Sequence, residues 1–483
     1  MPGIVIVGAG FGGIGMGIAL KQAGYDDFII LDQADDLGGT WRDNQYPGCA
    51  CDVPSPLYSY SFELNPDWSR LFAPQPEIWD YLRQCARKHG LEAHIRYGSV
   101  VDQMSWDEDA RLWDVQTLEH GELGSWRSHA VVAAAGALHL PVYPDIPGTE
   151  RFTGTAFHSS RWDHSVDLAG QRVAVIGTGA SAIQFVPEIA RRAGHLTVFQ
   201  RTPPWLHPRP DAPIPARARA VFRKAPVTAR ALRDAIYLGL EARAAGFAVS
   251  QKLMAPLEMV ARRHLASQVT DPALRARLTP DYTIGCKRIL LSSDYYPALQ
   301  RPNVSLVTEG ICEITEAGVT TADGQEHKAD VIIYATGFNA IESVTSLNVT
   351  GRDGRPLRPG NLEAYRGVTV AGFPNFFMLL GPNTGQGHTS AVFMIENQIR
   401  HVVSCLRLLA RDKANAIEVL EPAQRKYNDA LQRRLRRAVW SVGGCRSWYL
   451  DAEGVNRTLW PGFTFEYWAR TRRARPVDYA VTR

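Results

Sequence analysis

At 483 residues the chain is longer than one hydrophobic core usually grows, so two or three domains are expected. Its 45% apolar and 21% charged residues match a soluble globular protein, and 53 basic against 49 acidic residues give +4, which argues against a dedicated nucleic-acid binder. No apolar run reaches the roughly 18 residues that span a bilayer.

The first element is predicted at 4-IVIV-7, a continuous β-branched run that reads as a buried parallel strand, with no charged leader or cleavage site before it. GAGFGG follows, placing Gly8, Gly10 and Gly13 in G-x-G-x-x-G, and a helical pattern comes next. Gly8 permits the tight turn, Gly10 lets backbone approach a pyrophosphate, and Gly13 lets helix and strand pack closely. A second strand, 28-FIILD-32, ends on Asp32, placed to accept from a ribose hydroxyl. Cys49 and Cys51 form a C-x-C without a second pair, so no zinc site is expected. The seven cysteines are odd in number, irregularly spaced and free of C-x-x-C, which fits a reduced cytoplasmic protein.

The pattern of strand, glycine loop and helix returns at 172-RVAVIGTGASA-182, with Gly177, Thr178, Gly179, Ser181 and Ala182 in the loop. Arg201, at the end of strand 196-LTVFQR-201, stands as far from Gly177 as Asp32 stands from Gly8. A carboxylate repels a 2′-phosphate, whereas a guanidinium pairs with it bidentately. The first unit therefore suits FAD and the second NADPH, with Thr202 beside Arg201. Residues 212–278 lack strand alternation and are rich in Ala and Arg, so a helical subdomain is predicted there; Met254 and Met259 are expected in its core. Adjacent Lys287 and Arg288 in 286-CKRILL-291 point opposite ways in an extended segment. A hydrophobic strand at 330-DVIIYATGF-338 runs into a Thr-Gly turn, as expected where one nucleotide domain returns to the other. The arginines of 425–440 read as a solvated helix face.

Two further stretches carry a resemblance. In 38-GGTWRDNQYPGCACD-52, Gly38, Gly39, Trp41, Tyr46, Pro47, Gly48 and Asp52 resemble one fingerprint of type I Baeyer–Villiger monooxygenases. In 152-FTGTAFHSSRWD-163, Phe152, Gly154, His158, Trp162 and Asp163 resemble the other. Sister flavin monooxygenases usually place another aromatic where Trp162 stands. The likeness runs through 381-GPNTGQGH-388 to 443-GGCRSWYLDAEG-454.

The resemblance implies an α/β protein of two Rossmann-like dinucleotide-binding domains, for FAD and NADP, with a helical insert. The expected boundaries are 1–145 and 337–483 for the FAD domain, 146–210 and 281–336 for the NADP domain, and 211–280 for the insert, implied to be a substrate-access wall. It implies an NADPH- and O₂-dependent oxidation of a ketone to an ester or lactone through a flavin C4a-peroxide, with sulfoxidation as a side activity. Arg288 is implied to stabilise the peroxide, since a guanidinium does not titrate at working pH, and Asp52 to hold that arginine. Lys287 is implied to join Arg201 and Thr202 on the 2′-phosphate. Thr40, Trp41, Asp43 and Tyr58 resemble flavin contacts, Val101 an adenine contact, and Trp448 a partner of the nicotinamide ribose. His158 and Trp162 are expected to couple the domains as a hinge. Many members have an arginine where Ala50 stands. Alternatives are an N-hydroxylase, disfavoured by Trp162, a pyridine-nucleotide disulfide reductase, disfavoured by the missing C-x-x-C, and a non-catalytic NADPH-binding protein.

Overall fold

A computed structural model describes residues 3–483 except 341, 343–345, 359–361, 446 and 452. β1 (Ile4–Val7), α1 (Phe11–Gln22) and β2 (Phe28–Leu31) form the first unit, followed by β3 (Ile95–Arg96) and β4 (Ala130–Ala133). The second unit contains β5 (Thr155–His158), β6 (Arg172–Ile176), β7 (His195–Phe199), β8 (Val304–Val307) and β9 (Val331–Tyr334); β10 (Phe376–Met378) returns to the first.

The two sheets have the orders β10-β4-β1-β2-β3 and β8-β7-β6-β9-β5, and every neighbouring pair is parallel. Parallel sheets bury both faces, which is why β1, β2, β4 and β9 are buried at every position. In each sheet the strand order reverses beside the strand that carries the glycine loop. A crevice opens there at the carboxyl ends, where dinucleotides bind in such folds.

Other features were not predicted. Antiparallel strands Ser99–Asp107, Leu112–Glu119 and Glu122–Ser128 form a meander between β3 and β4. The two connections between the sheets pair with each other: Val142 N–H donates to Gly337 O and Asn339 N–H to Leu140 O, both at 2.9 Å. The segments leaving and returning thus form one double-stranded neck.

Residues 212–278 fold into five helices of four or more residues and one short 3-10 turn, including Pro226–Glu241 and Ala255–Gln268. Arg233 fastens them to the first unit by donating to Pro56 O at 2.9 Å and Ser59 O at 2.8 Å, beside Glu396 at 3.4 Å. Met254 is buried as expected, but Met259 faces solvent.

The expectation that all cysteines are reduced is overturned. Cys286 and Cys445 form a disulfide across a separation of 159 residues, with Cα atoms 6.1 Å apart. No local spacing signals such a pair, because tertiary packing alone brings the two loops together. Cys49, Cys51, Cys85 and Cys405 are buried free thiols, and Cys312 is exposed. No helix among the described residues is long and apolar enough to cross a membrane.

Candidate active site

The glycine loops are the same physical device built twice. Gly8 has φ +105° and Gly177 φ +108°, a region L side chains rarely adopt. A Cβ at Gly8 would lie 2.6 Å from Ala134 O, and one at Gly177 would lie 2.5 Å from Ala335 O, the equivalent position in the second sheet. Gly13 packs against Gly8 O so closely that no side chain fits. Gly10 starts α1 without a side-chain cap, so the helix N-terminus turns unpaired N–H groups and its positive dipole end toward the crevice.

A cavity of about 500 Å³ lies before the first loop, lined by Gly8, Gly10, Asp32, Val101 and Arg288 among others. Thr40, Trp41, Asp43, Tyr58, Asp52 and Trp448 line it too. The Asp32 carboxylate is fixed by Ala9 N–H at 2.7 Å, Ala34 N–H at 3.0 Å and Arg42 at 2.8 Å. The short helix α2 (Thr40–Asp43) carries Trp41, whose indole N–H donates to the Tyr58 hydroxyl at 3.1 Å. Gln386 Oε1 and Thr389 Oγ1 line the same cavity, are buried, and have no hydrogen-bond partner among the described residues. Buried polar atoms are ordinarily paired, so these two suit a polar, planar ligand such as a flavin. None of residues 212–278 lines the cavity, so the helical insert supplies no wall to it.

Arg288 meets Asp52 in a bidentate pair, Nε to Oδ2 at 2.5 Å and Nη2 to Oδ1 at 2.7 Å. Among the described residues Nη1 has only a long contact, 3.5 Å to Gln386 O, and remains for the cavity. The Asp52 charge raises the Arg288 pKa further, against the cost of burial. Burial alone would raise the Asp52 carboxyl, but the charge and hydrogen bonds of Arg288 hold it below the ordinary value. A fixed cation therefore faces the cavity at any working pH.

Ala180 of the second loop and Gln184 of the helix after it line that cavity, whereas Gly177, Thr178, Gly179, Ser181, Ala182, Arg201, Thr202 and Lys287 do not; Thr178 of the loop donates to Thr202 O at 3.2 Å. Lys287 sits 5.1 Å from the Tyr282 ring centroid. Burial lowers its pKa, and the nearby positive charge of Arg201 lowers it more. Neither side chain has an ion-pair partner within 4 Å among the described residues, so two like charges stand near each other without a counter-charge in contact. That arrangement favours a dianion. Arg288 lines the cavity beside the first loop and its neighbour Lys287 does not.

The second fingerprint lies at the base of the neck. His158, the last residue of β5, is fully buried, pairs in register with Tyr334 and shares a hydrogen bond with Ser160 at 2.8 Å. Its ring packs against Tyr143 and Phe338, one from each strand of the neck, at 5.6 and 5.5 Å. Burial pushes its pKa down to about 4, so it is neutral near pH 7. Trp162 packs on Phe157 and on Phe185 of α3 (Ala182–Ile189), both at 5.3 Å, and Phe185 reaches Tyr46 at 5.9 Å. An aromatic row therefore joins the two fingerprints. Gly154 abuts Asp330 O, Phe152 packs under β9, and Asp163 caps the turn at Ser165 with a bond of 2.9 Å.

Sequence reasoning missed Gln184 and Tyr449. Gln184 accepts from Tyr46 OH at 3.0 Å and from Ala50 N–H at 3.3 Å, and donates to Ala50 O at 3.0 Å. The backbone at Ala50 is thus braced by the second unit. Tyr449 lines the cavity beside Arg288, with its hydroxyl facing the Arg288 backbone amide. Arg446 and Ala452 of the same segment lie outside the described residues.

Comparison with known proteins agrees with this geometry. The chain is 48% identical to a Baeyer–Villiger monooxygenase of Pseudomonas aeruginosa, over 99% of this chain and 91% of that protein. A Baeyer–Villiger monooxygenase of Streptomyces coelicolor is 46% identical over 99% and 92%. The chain belongs to the Baeyer–Villiger monooxygenase family. A family model described as pyridine nucleotide-disulphide oxidoreductase matches residues 5–225. Among solved structures, OTEMO in complex with FAD and NADP superposes with a TM-score of 0.87 at 26% identity, covering 100% of this chain and 99% of that one. Cyclohexanone monooxygenase from Rhodococcus sp. Phi1 bound to NADP⁺ gives 0.86 at 28% identity, covering 100% of both chains. The family, the enzyme class and the α/β fold expected from the fingerprints are borne out. The chain differs from the sequence expectation in its disulfide.

Proposed function

We propose that the chain oxidises a small-molecule ketone to an ester or lactone, using FAD, NADPH and dioxygen, with sulfides as secondary substrates. The observation that carries this reading is the Arg288–Asp52 pair: a guanidinium locked by two hydrogen bonds, with its remaining edge toward the cavity that adjoins the first glycine loop. Bound FAD, once reduced by NADPH, supplies the activation of dioxygen. The protein's own part is electrostatic and positional. Arg288 stabilises negative charge without giving up a proton, and Asp52 prevents that cation from standing uncompensated. The N-terminus of α1 and Asp32 hold the pyrophosphate and ribose of FAD, and Trp41, Tyr58 and Val101 pack around it. Arg201, Lys287 and Thr202 hold the 2′-phosphate of NADPH, while Trp448 contacts its ribose.

In this reading residues 1–145 and 337–483 make the FAD domain, 146–210 and 281–336 the NADP domain, and 211–280 the insert. His158 is a hinge residue rather than an acid or base, because it is neutral and wedged between the strands of the neck. The protein works in the cytoplasm without nucleic-acid or membrane partners. The experiment is a panel of cyclic, linear and aromatic ketones with purified, yellow holoenzyme and NADPH. Ester or lactone from at least one ketone supports the proposal; NADPH consumption with no oxygenated product from any of them refutes it.

A further inference from the structure

The disulfide joins the two chain segments that carry the cofactor-facing residues. Cys286 immediately precedes Lys287 and Arg288, and Cys445 comes shortly before Trp448 and Tyr449. These segments touch directly: Thr283 N–H donates to Gly443 O at 3.0 Å, and a Cβ at Gly443 would lie 2.7 Å from Cys286 Cβ. Otherwise the C-terminal segment is held on itself, with Tyr449 N–H bonded to Ser447 and Tyr449 O to Thr458. Among the described residues, one backbone hydrogen bond, the Tyr449 hydroxyl over the Arg288 amide and the disulfide join the two segments. Trp448 is half-exposed, so packing alone anchors its end of the loop weakly.

We propose that the Cys286–Cys445 disulfide is a redox-set tether that positions Trp448 and Tyr449 over the Lys287–Arg288 segment, so that its state sets how tightly NADP(H) is held and how fully NADPH use is coupled to product. The proposal rests on the cofactor placement given under Proposed function. Cys286 is buried among Trp205, Trp440 and Tyr449, whereas Cys445 is only partly buried, so Cys445 is the more accessible end of the bond for an attacking thiolate. In the opening step a dithiol gives up two electrons and two protons and becomes a disulfide; the Cys286–Cys445 bond breaks and both residues leave as thiols. In the closing step hydrogen peroxide takes two electrons and two protons from the thiols and becomes two waters as the S–S bond re-forms. With the bond open, Lys287 and Arg288 keep their own partners, but the loop bearing Trp448 loses its covalent anchor. Positioning residues of this kind should alter cofactor affinity and coupling before they alter flavin reduction.

The test uses full-length holoenzyme, oxidised or treated with dithiothreitol, with alkylation and mass spectrometry reporting the state of Cys286 and Cys445. The NADP⁺ dissociation constant is measured by flavin absorbance titration, and KM for NADPH, flavin reduction rate and product per NADPH are measured in parallel. Reduction is expected to raise the NADP⁺ dissociation constant and the NADPH KM about three- to tenfold and to lower product per NADPH. The saturating flavin reduction rate should change less than about twofold, and hydrogen peroxide should restore the starting values. Cys445→Ser should show the reduced values from the start and ignore dithiothreitol, while Cys312→Ser should respond like the unaltered protein. Equal dissociation constants in the two states, a response retained in Cys445→Ser, or alkylation of both cysteines without reductant would each overturn the tether. If Cys445→Ser does not fold, the wild-type comparison decides. Absence of ketone product in both states would strike the functional reading instead, and the NADP⁺ titration would still judge the tether.

Discussion

Substituting Arg201 and Lys287 removes the two neighbouring cations proposed to hold the 2′-phosphate of NADPH. In the free protein they repel each other, and Lys287 is already pushed down by burial and then by Arg201. A hydrogen bond to a charged group contributes about 1.5–3 kcal/mol, and solvent screening at exposed Arg201 calls for the lower end. About 1.4 kcal/mol corresponds to tenfold. Arg201→Ala should therefore lower kcat/KM for NADPH about tenfold, and Arg201→Ala with Lys287→Ala about 100-fold. NADH lacks the 2′-phosphate, so its kcat/KM should stay within about twofold. The assay is initial-rate kinetics with both nucleotides at fixed oxygen. A lowered lysine pKa also means that the NADPH KM should begin to rise at a lower pH than for an ordinary lysine, and that this dependence should vanish in Lys287→Ala. Equal losses for the two nucleotides, which leave their ratio unchanged, would refute the reasoning and show that the residues matter for packing rather than phosphate.

Arg288→Ala should keep NADPH-driven flavin reduction within a few-fold while lowering ester formation by about 100-fold or more, as expected when a preorganised cation is lost; stopped-flow reduction with product chromatography separates the two steps. Trp162→Ala removes both ring contacts at 5.3 Å and should cost about 2–3 kcal/mol in urea unfolding, with Trp162→Phe recovering most of it; a loss below about 0.5 kcal/mol would dismiss the aromatic row as a connection. His158 has a folded pKa pushed down to about 4, below the roughly 6.5 of an unfolded histidine. The unfolded chain then binds the extra proton, so stability should fall as pH drops from about 6.5 to about 4, by up to about 1.4 kcal/mol per pH unit. His158→Gln should remove that part of the slope in denaturation measured against pH. His401, pushed down to about 3 by burial, titrates alike in both proteins and cancels.

The two glycine loops were readable because their rules are local: strand, turn, helix N-terminus and acceptor lie within one supersecondary unit. Gly8 and Gly177 accordingly share one backbone conformation, but equal spacing does not mean equal register: Asp32 directly follows β2, whereas β7 ends at Phe199, so Gln200 holds the position equivalent to Asp32 and Arg201 comes one residue later. The Arg288–Asp52 pair was reachable only through resemblance, since 236 residues separate the partners and no periodicity connects them. Gln184 and Tyr449 stayed hidden for the same reason: Gln184 bonds to Ala50 from 134 residues away, in another unit. The disulfide inverted the expectation from cysteine spacing because its partners, 159 residues apart in sequence, are brought together by tertiary packing alone. The helical insert was legible as helix from its composition, but composition does not say which cavity a helix faces.

The central claim is that a fixed guanidinium beside the first dinucleotide site serves oxygen insertion into a ketone. Its most direct test is a single-turnover reaction of holoenzyme, NADPH and a ketone under isotopically labelled dioxygen, read by product mass spectrometry for the natural chain and for Arg288→Ala. The account predicts one labelled oxygen in the ester or lactone from the natural chain and none from the variant, although both reduce their flavin. Ester formation by Arg288→Ala at the natural rate, or product lacking the label, would contradict it.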